Sequence, residues 1–366
     1  MSIFGVLGVY SLFQVMSTEN SNVQSCTGLS KEIIAIIRYG ALAPSSHNAQ
    51  MWKVKIVSEH EIIVMIDQAH ILPEIDPGNR ESLISLGAFI ENIVESAPKY
   101  NLQAEVTILA QNSTVQEIAK IIFKPDDNGL GSKVQRVEAL KNRHTIRAPF
   151  LTKELTGPDR NQLISTGQNL NYFPLGSVVG QSLKEAIIQS TRQQAANDKK
   201  QGELADWIRF SKKEARRKKD GLTPEMMGLS GIAKWYVSAF FNHNSVLSKS
   251  FREQTVTTAK IQSENCAGFV ILSSPDNSVE SLVNAGRNLE RFLISAAGMQ
   301  IAVQPMSAPL EESPWKKEIG TRTGLIQPVQ MLLRVGYVKN YGYPVSLRRN
   351  VSVILEMNKA GTNDSL

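Results

Sequence analysis

Gly87-Ala88-Phe89-Ile90-Glu91-Asn92-Ile93-Val94-Glu95-Ser96-Ala97 returns far downstream as Gly286-Arg287-Asn288-Leu289-Glu290-Arg291-Phe292-Leu293-Ile294-Ser295-Ala296. Gly, Glu, Ser and Ala coincide, and Ile90, Ile93 and Val94 stand against Leu289, Phe292 and Leu293. Apolar residues at helical spacing predict amphipathic helices over residues 81–97 and 278–298. Strand-like sequence trails each copy. An echo of a whole helix predicts two structurally similar halves. Chance likeness between two amphipathic helices is the competing reading. The join falls near residues 129–140, which divides the chain into an extension over 1–29, a first half over 30–130 and a second half over 131–366.

The remaining elements fill in these halves. Ser30 is placed to cap a helix over 30–43 that Pro44 stops. Apolar and charged residues alternate in Trp52-Lys53-Val54-Lys55-Ile56, as on a half-buried strand, and residues 62–66 read as its partner. Asp76-Pro77-Gly78-Asn79 and Asp126-Asp127-Asn128-Gly129 are turns by composition. Strands are predicted over 104–109, 118–123, 267–273, 301–303 and 329–335, with a less defined β region over 169–179. Helices are predicted over 132–141 and over 152–166, the latter weakly interrupted at Gly157-Pro158. The fold class is therefore α+β, with antiparallel or mixed sheets flanked by helices.

Bulk properties set outer limits. The chain has 366 residues, of which 42% are hydrophobic, enough for a packed core. A net charge of +6 favours anionic ligands without indicating nucleic acid. Cys26 and Cys266 form neither a CxxC pair nor a framework of bridges, so a reducing, cytoplasmic setting is expected. Residues 1–16 are apolar but too short to span a bilayer as a helix, and they lack a basic leader region. They read as a loose appendage, or Met16 as the natural start, and stable membrane insertion is not expected.

Two loops carry the chemistry. In Arg143-His144-Thr145-Ile146-Arg147, an extended backbone puts Arg143, Thr145 and Arg147 on one face. Two forked cations and a hydroxyl suit a phosphate, although a plain basic link between elements has the same spacing. The second loop is Ala43-Pro44-Ser45-Ser46-His47-Asn48-Ala49-Gln50-Met51-Trp52. Each loop occurs in one half only, so a packed pair of halves brings the two together at a single site. HExxH, GxSxG and Walker A patterns are absent. His47, His60, His70 and His243 read as surface or structural residues. The run Lys212-Lys213-Glu214-Ala215-Arg216-Arg217-Lys218-Lys219 reads as a solvated helix face rather than a nucleic-acid patch.

Together these residues resemble the flavin-dependent nitroreductase family. In that family an Arg-x-Ser/Thr-x-Arg/Lys segment and an Ala-Pro-Ser-x-x-Asn-x-Gln-Pro-Trp loop come from opposite subunits and hold one FMN. Here both lie in one chain. That, with Asp76-Pro77-Gly78-Asn79-Arg80-Glu81 and Arg348-Arg349-Asn350-Val351, is similar to the single-chain, two-lobed Acg-like subgroup, from about residue 28 to 355. The resemblance implies a nitroreductase-like fold packed as an intrachain pseudo-dimer, complete as a monomer or weak homodimer. It implies that Arg143 and Thr145 hold the FMN phosphate, with the His144 backbone nearby, and that Arg147 stands at the pyrimidine edge of the ring. Pro44, Ser45, Ser46, Asn48 and Gln50 reach in from the other lobe. Pro305, Met306 and Ser307 run beside the ring, and Arg348 or Arg349 closes on the phosphate. The flavin carries the chemistry, so no catalytic side chain and no metal ligand is expected. The implied activity passes hydride from NAD(P)H to a nitro compound or quinone. Met51 departs from the family's Pro. So does a helical insertion over about 200–250, expected to act as a lid. If Trp235, Tyr236 or Phe240 lies on the ring, the implied alternative is an FMN-sequestering protein with little reductase activity.

Overall fold

Local signals set the helix starts. A computed structural model of the chain describes residues 28–113, 115–126 and 133–356. The N-terminal extension up to residue 27, with Cys26, and most of the turn expected at 126–129 lie outside the described residues. Ser30 caps α1 (Lys31–Gly40), its Oγ accepting from the Ile33 amide at 3.2 Å. The strand pair β1 (Trp52–Ser58) and β2 (Glu61–Ile66) follows in antiparallel register, with Trp52 opposite Ile66. Next come α2 (Arg80–Ser96), β3 (Leu102–Ile108), β4 (Glu117–Pro125) and α3 (Lys133–Asn142). The helix expected over 152–166 is shorter. It is α4 (Gly157–Ile164), because Thr156 supplies the cap and Pro158 fits the first turn, so Gly157-Pro158 begins the helix instead of interrupting it.

After β5 (Leu170–Pro174) comes a helical tract: α5 (Val178–Ala196), α6 (Asp198–Trp207), α7 (Lys212–Lys218), α8 (Gly231–Phe240), α9 (His243–Leu247) and α10 (Lys249–Glu264). The chain then forms β6 (Gly268–Ser273), α11 (Val279–Gly298), β7 (Ala302–Pro305), the short helices α12 (Ala308–Glu311) and α13 (Trp315–Thr323), and β8 (Val329–Gly336). It ends in α14 (Val351–Ile354) and β9 (Leu355–Glu356).

The architecture is α+β, with two sheets flanked by helices. The first sheet has strand order β3-β4-β2-β1-β9 and the second β5-β6-β8-β7. In β1 the apolar Trp52, Val54 and Ile56 are buried between half-buried lysines, as the alternation requires. β6 and β8 are buried along their whole length, which explains the continuous apolar run of β6. One boundary differs from expectation. β9 pairs in parallel with β1, Val54 facing Leu355, so the end of the second half is built into the first sheet. Val351 and Ile354 bury against the first core, and this burial holds the segment there. Among the described residues, no helix is long and apolar enough to cross a membrane.

α2 and α11, the two copies of the echoed helix, cross at their glycines. A Cβ on Gly87 would meet the Val283 carbonyl oxygen at 2.0 Å, and a Cβ on Gly286 would meet the Ile84 carbonyl oxygen at 2.0 Å. The contact is reciprocal: Ile84 and Val283 are separated by the same offset as Gly87 and Gly286. Glu91 of α2, almost fully buried, takes Arg287 and Arg291 of α11, each at 2.8 Å. Glu290 stands in the same position on α11 and receives Arg143 at 3.1 Å.

Gly286→Ala should therefore destabilise the protein by about 2–3 kcal/mol or prevent folding, because backbone cannot yield to a new methyl group. Gly202→Ala is the control. Gly202 lies within α6 with nothing near its Cβ position, so the change should stabilise by roughly 0.5–1 kcal/mol. Urea denaturation of both variants checks the pair.

Candidate functional site

The loop after α1 is tightly held. His47, Asn48 and Gln50 adopt φ of 53°, 53° and 58°, a left-handed conformation that non-glycine residues keep only when their surroundings enforce it. Asn48 Nδ2 donates to the carbonyls of Gly221 (3.0 Å) and Leu347 (3.2 Å), and the Gly221 amide donates to the Asn48 carbonyl (3.1 Å). Gln50 Nε2 donates to the Lys219 carbonyl (2.8 Å), while its Oε1 accepts from the Arg349 amide (2.8 Å). Two distant segments, 219–221 and 347–349, thus clamp one loop.

The stretch 143–147 leaves α3 without regular structure. Arg143 Nη2 donates to the Leu42 carbonyl at 2.6 Å, and Arg348 Nη2 donates to the same carbonyl at 3.1 Å. Arg348 Nη1 also donates to Asn48 Oδ1 at 2.9 Å. The early loop, the mid-chain arginine and the C-terminal arginine therefore meet at one point. Arg147 Nη1 donates to the Met226 carbonyl at 2.8 Å. The fully buried Arg334 of β8 holds this stretch from beneath, donating to the carbonyls of Ala148 (2.9 Å), Gln262 (2.9 Å) and Asn265 (3.2 Å) while lying 3.8 Å over the Phe150 ring. A single Arg inside an apolar strand gave no sequence signal for this role.

Two adjoining cavities open between the halves. The smaller, about 60 Å³, is polar and is lined by Asn48, Arg143, His144, Thr145, Ser346 and Arg348 among others. The larger, about 240 Å³, has an apolar floor of Ile84, Ala88, Leu289, Leu293, Val303 and Met331. Pro44, Ser45, Arg143, His144, Thr145 and Arg147 line both. Positive charge predominates here. Arg143 has Glu290 as a counter-ion, whereas Arg147 and Arg348 make no ion pair among the described residues. Burial pushes the Arg147 guanidinium down to about 10. Burial, then neighbouring Arg143, pushes Arg348 down to about 9, so both remain cationic at neutral pH. Arg348 Nε is buried without a hydrogen-bond partner. Half-buried cations without a carboxylate partner favour an anion beside them.

The residues of the site separate into two groups. Pro44, Ser45, Ser46, Asn48, Arg143, His144, Thr145, Arg147, Pro305, Ser307 and Arg348 line one cavity or both. Gln50, Met306 and Arg349 line neither. Gln50 is spent on the clamp described above, Met306 is packed in the second core, and Arg349 grips the Gln50 carbonyl (2.9 Å) and Asp67 (3.1 Å). Trp235, Tyr236 and Phe240 are also absent from the cavity walls and face solvent, 63%, 52% and 60% exposed. The helical insertion reaches the cavities through Leu222 and Met226 instead.

Three groups in the larger cavity were missed from the sequence. Glu81 is held by Arg80 Nη2 at 2.7 Å and accepts a short hydrogen bond from Ser46. Glu311 lines the same cavity as Glu81 and Ser307 and accepts from Gln194 Nε2 at 2.5 Å. Burial, then the Glu81 carboxylate, holds the Glu311 carboxyl well above the usual carboxylate range. His47, read as structural, lines the same cavity with its Nε2 buried and unpartnered, and burial lowers it to about 4. Glu81 closes the stretch Asp76–Glu81 and Glu311 follows Pro305-Met306-Ser307 by four residues, so their place in or beside these motifs was the available signal.

The chain matches no protein-family model. Two proteins of Mycobacterium tuberculosis, the uncharacterized proteins MT3212 (strain CDC 1551) and Rv3127 (strain H37Rv), are each 29% identical over 111 residues, 30% of this chain. The chain spans about a third (32%) of the length of these curated relatives. Among solved structures, the FMN-dependent nitroreductase NfnB from Mycobacterium smegmatis in complex with NADPH aligns at 12% identity and a TM-score of 0.35, over 64% of this chain and 97% of that one. A nitroreductase with bound FMN from Desulfitobacterium hafniense aligns at 9% identity and a TM-score of 0.33, over 57% and 92%.

Glu290 offers a test of the electrostatics beneath the site. It is fully buried, and burial raises it to about 7 against the pull of Arg143. A carboxyl raised on folding binds more protons in the native state, so its contribution to stability is present at low pH and is lost as pH rises towards 7. Removing that titration with Glu290→Gln should flatten the pH dependence by on the order of 2–3 kcal/mol between about pH 4.5 and 7. Denaturant titrations of both proteins across that range provide the measurement.

Proposed function

We propose that the cleft holds FMN, with the phosphate in the polar cavity and the ring over the apolar floor. On this reading the protein is an FMN-dependent oxidoreductase of the nitroreductase type. It takes hydride from NAD(P)H and passes it to a nitro compound or a quinone. One observation carries the reading: Asn48, Arg143, Thr145 and Arg348, from three separate parts of the chain, line one small polar cavity that opens onto a larger apolar one. The donor set fits the nucleotide. Two guanidiniums and a hydroxyl suit a phosphate, and the unpartnered Arg348 Nε is a donor in want of an acceptor.

FMN, when bound, supplies the hydride transfer. The chain's own residues do the rest. Arg143 and Arg348 neutralise the phosphate and fix its position. Arg147 is a fixed positive charge on the wall shared by the two cavities. Glu311, its carboxyl held above the usual carboxylate range by burial and by Glu81, lines the larger cavity beside Ser307 and Gln194. Leu222 and Met226 exclude water from one side, which makes the insertion a partial lid. Because both loops belong to one chain, a second chain is not required to complete the site, in keeping with an Acg-like intrachain pseudo-dimer. The lid contact of Leu222 and Met226 is also what favours the second reading, FMN sequestration. The outward placement of Trp235, Tyr236 and Phe240 weighs against it, since none of them covers the floor.

Arg143→Ala should weaken FMN binding by about 1.5–3 kcal/mol, roughly ten- to a hundredfold, as measured by flavin fluorescence quenching. Unchanged affinity would remove the phosphate assignment. Anaerobic NAD(P)H titration separates the two readings. Bleaching followed by reoxidation with a nitroaromatic or quinone supports the reductase, bound but inert flavin supports sequestration, and failure to bind FMN overturns both.

A further inference from the structure

The helix α8 is turned the wrong way round for an ordinary surface helix. Ile232, Trp235, Tyr236, Ala239 and Phe240 recur at the spacing of one helical stripe, and that stripe faces solvent. Ile232 is 85% exposed, and the three aromatic residues are each more than half exposed. The helix is anchored from its other side, where Val237 and the following Phe241 pack on Ile208, Phe210 and Val246. The exposed rings also touch one another: Phe240 lies 5.8 Å from Trp235 and 5.1 Å from Tyr236, centroid to centroid. Across the whole stretch 229–242 the single charged residue is Lys234, which pairs with Glu225 at 3.2 Å. A continuous apolar face of this kind on a soluble surface marks a contact made elsewhere.

The neighbouring helix narrows the choice of partner. α7 and the residue after it carry six basic residues against one acid. Lys212, Lys213, Arg216, Arg217 and Lys218 are exposed, and the lone acid, Glu214, is already engaged by Lys218 at 3.1 Å. α7 and α8 flank one surface hollow, lined by Lys218 of α7 and Ser238 of α8, so the basic helix lies beside the apolar one. Two copies of this helix pair packed face to face would set like charges against each other. An anionic bilayer surface offers the complement to both parts: headgroup charge for the lysines and arginines, and the acyl boundary for Trp235, Tyr236 and Phe240. Trp and Tyr are the residues that favour that boundary.

We propose that α8, with the basic helix α7 beside it, docks the protein peripherally on an anionic lipid surface. The docking is independent of what the cleft binds. The full chain should sediment with vesicles of phosphatidylcholine and phosphatidylglycerol and remain free of vesicles of phosphatidylcholine alone. Its tryptophan emission should shift to the blue on binding. Trp52 is buried and Trp207 and Trp315 are half-buried, so Trp235 dominates the shift. The double variant W235S/F240S, which alters solvent-exposed side chains only, should lose the shift and bind at least about tenfold more weakly. Reversing Lys212, Lys213, Arg216 and Arg217 to Glu should do the same, and added salt should release the wild-type protein. Absence of vesicle binding by the folded wild-type chain overturns the proposal. So does binding that the W235S/F240S variant retains, or a solution dimer that this variant converts to monomer, which would assign the face to a second copy.

Discussion

The close crossing of α2 and α11 is the constraint on which the rest is built. Gly87 and Gly286 each leave the space that the opposite backbone fills, at distances no side chain would permit. Because the helices approach this closely, Glu91 and Glu290 enter the interior at matching positions, and each must be met by guanidinium groups. Glu91 takes both of its partners from α11. Glu290 takes Arg143, which arrives from the segment after α3 and so fixes where that segment passes. The course of the arginine stretch follows from the need to compensate a buried carboxylate.

From that point the site is assembled by carbonyl sharing. The Leu42 carbonyl accepts from both Arg143 and Arg348, and Asn48 joins Arg348 to the Gly221 backbone. The halves, the helical insertion and the C-terminal segment thus meet around one polar cavity. The positive charge there exceeds what the local carboxylates offset, whereas the adjoining floor is apolar. This combination of excess cation at one end and apolar surface at the other shapes the functional reading more than any single residue does.

The insertion divides its labour between its two sides. Leu222 and Met226 face the cleft, while α8 turns its aromatic stripe to solvent over a small core of its own. Its aromatic content alone did not distinguish a lid from an outer surface. The distinction rests on which helix face meets Ile208 and Val246, a matter of packing rather than composition.

Much of the design was legible along the chain. Capping by Ser30, the alternation in β1, the apolar run of β6 and the echoed helix each depend on local geometry, so their residues carry the signal themselves. The 143–147 stretch carried a local signal of this kind, two arginines and a threonine at alternate positions, whereas the 43–52 loop was singled out by its family resemblance. What the tertiary structure alone decided concerns partners distant in sequence. It joined β9 to the first sheet, spent Gln50 and Arg349 on the loop clamp, and brought Glu81, Glu311 and His47 into the cavity. A buried polar group takes whichever partner the fold presents, and neighbours in sequence do not specify that partner.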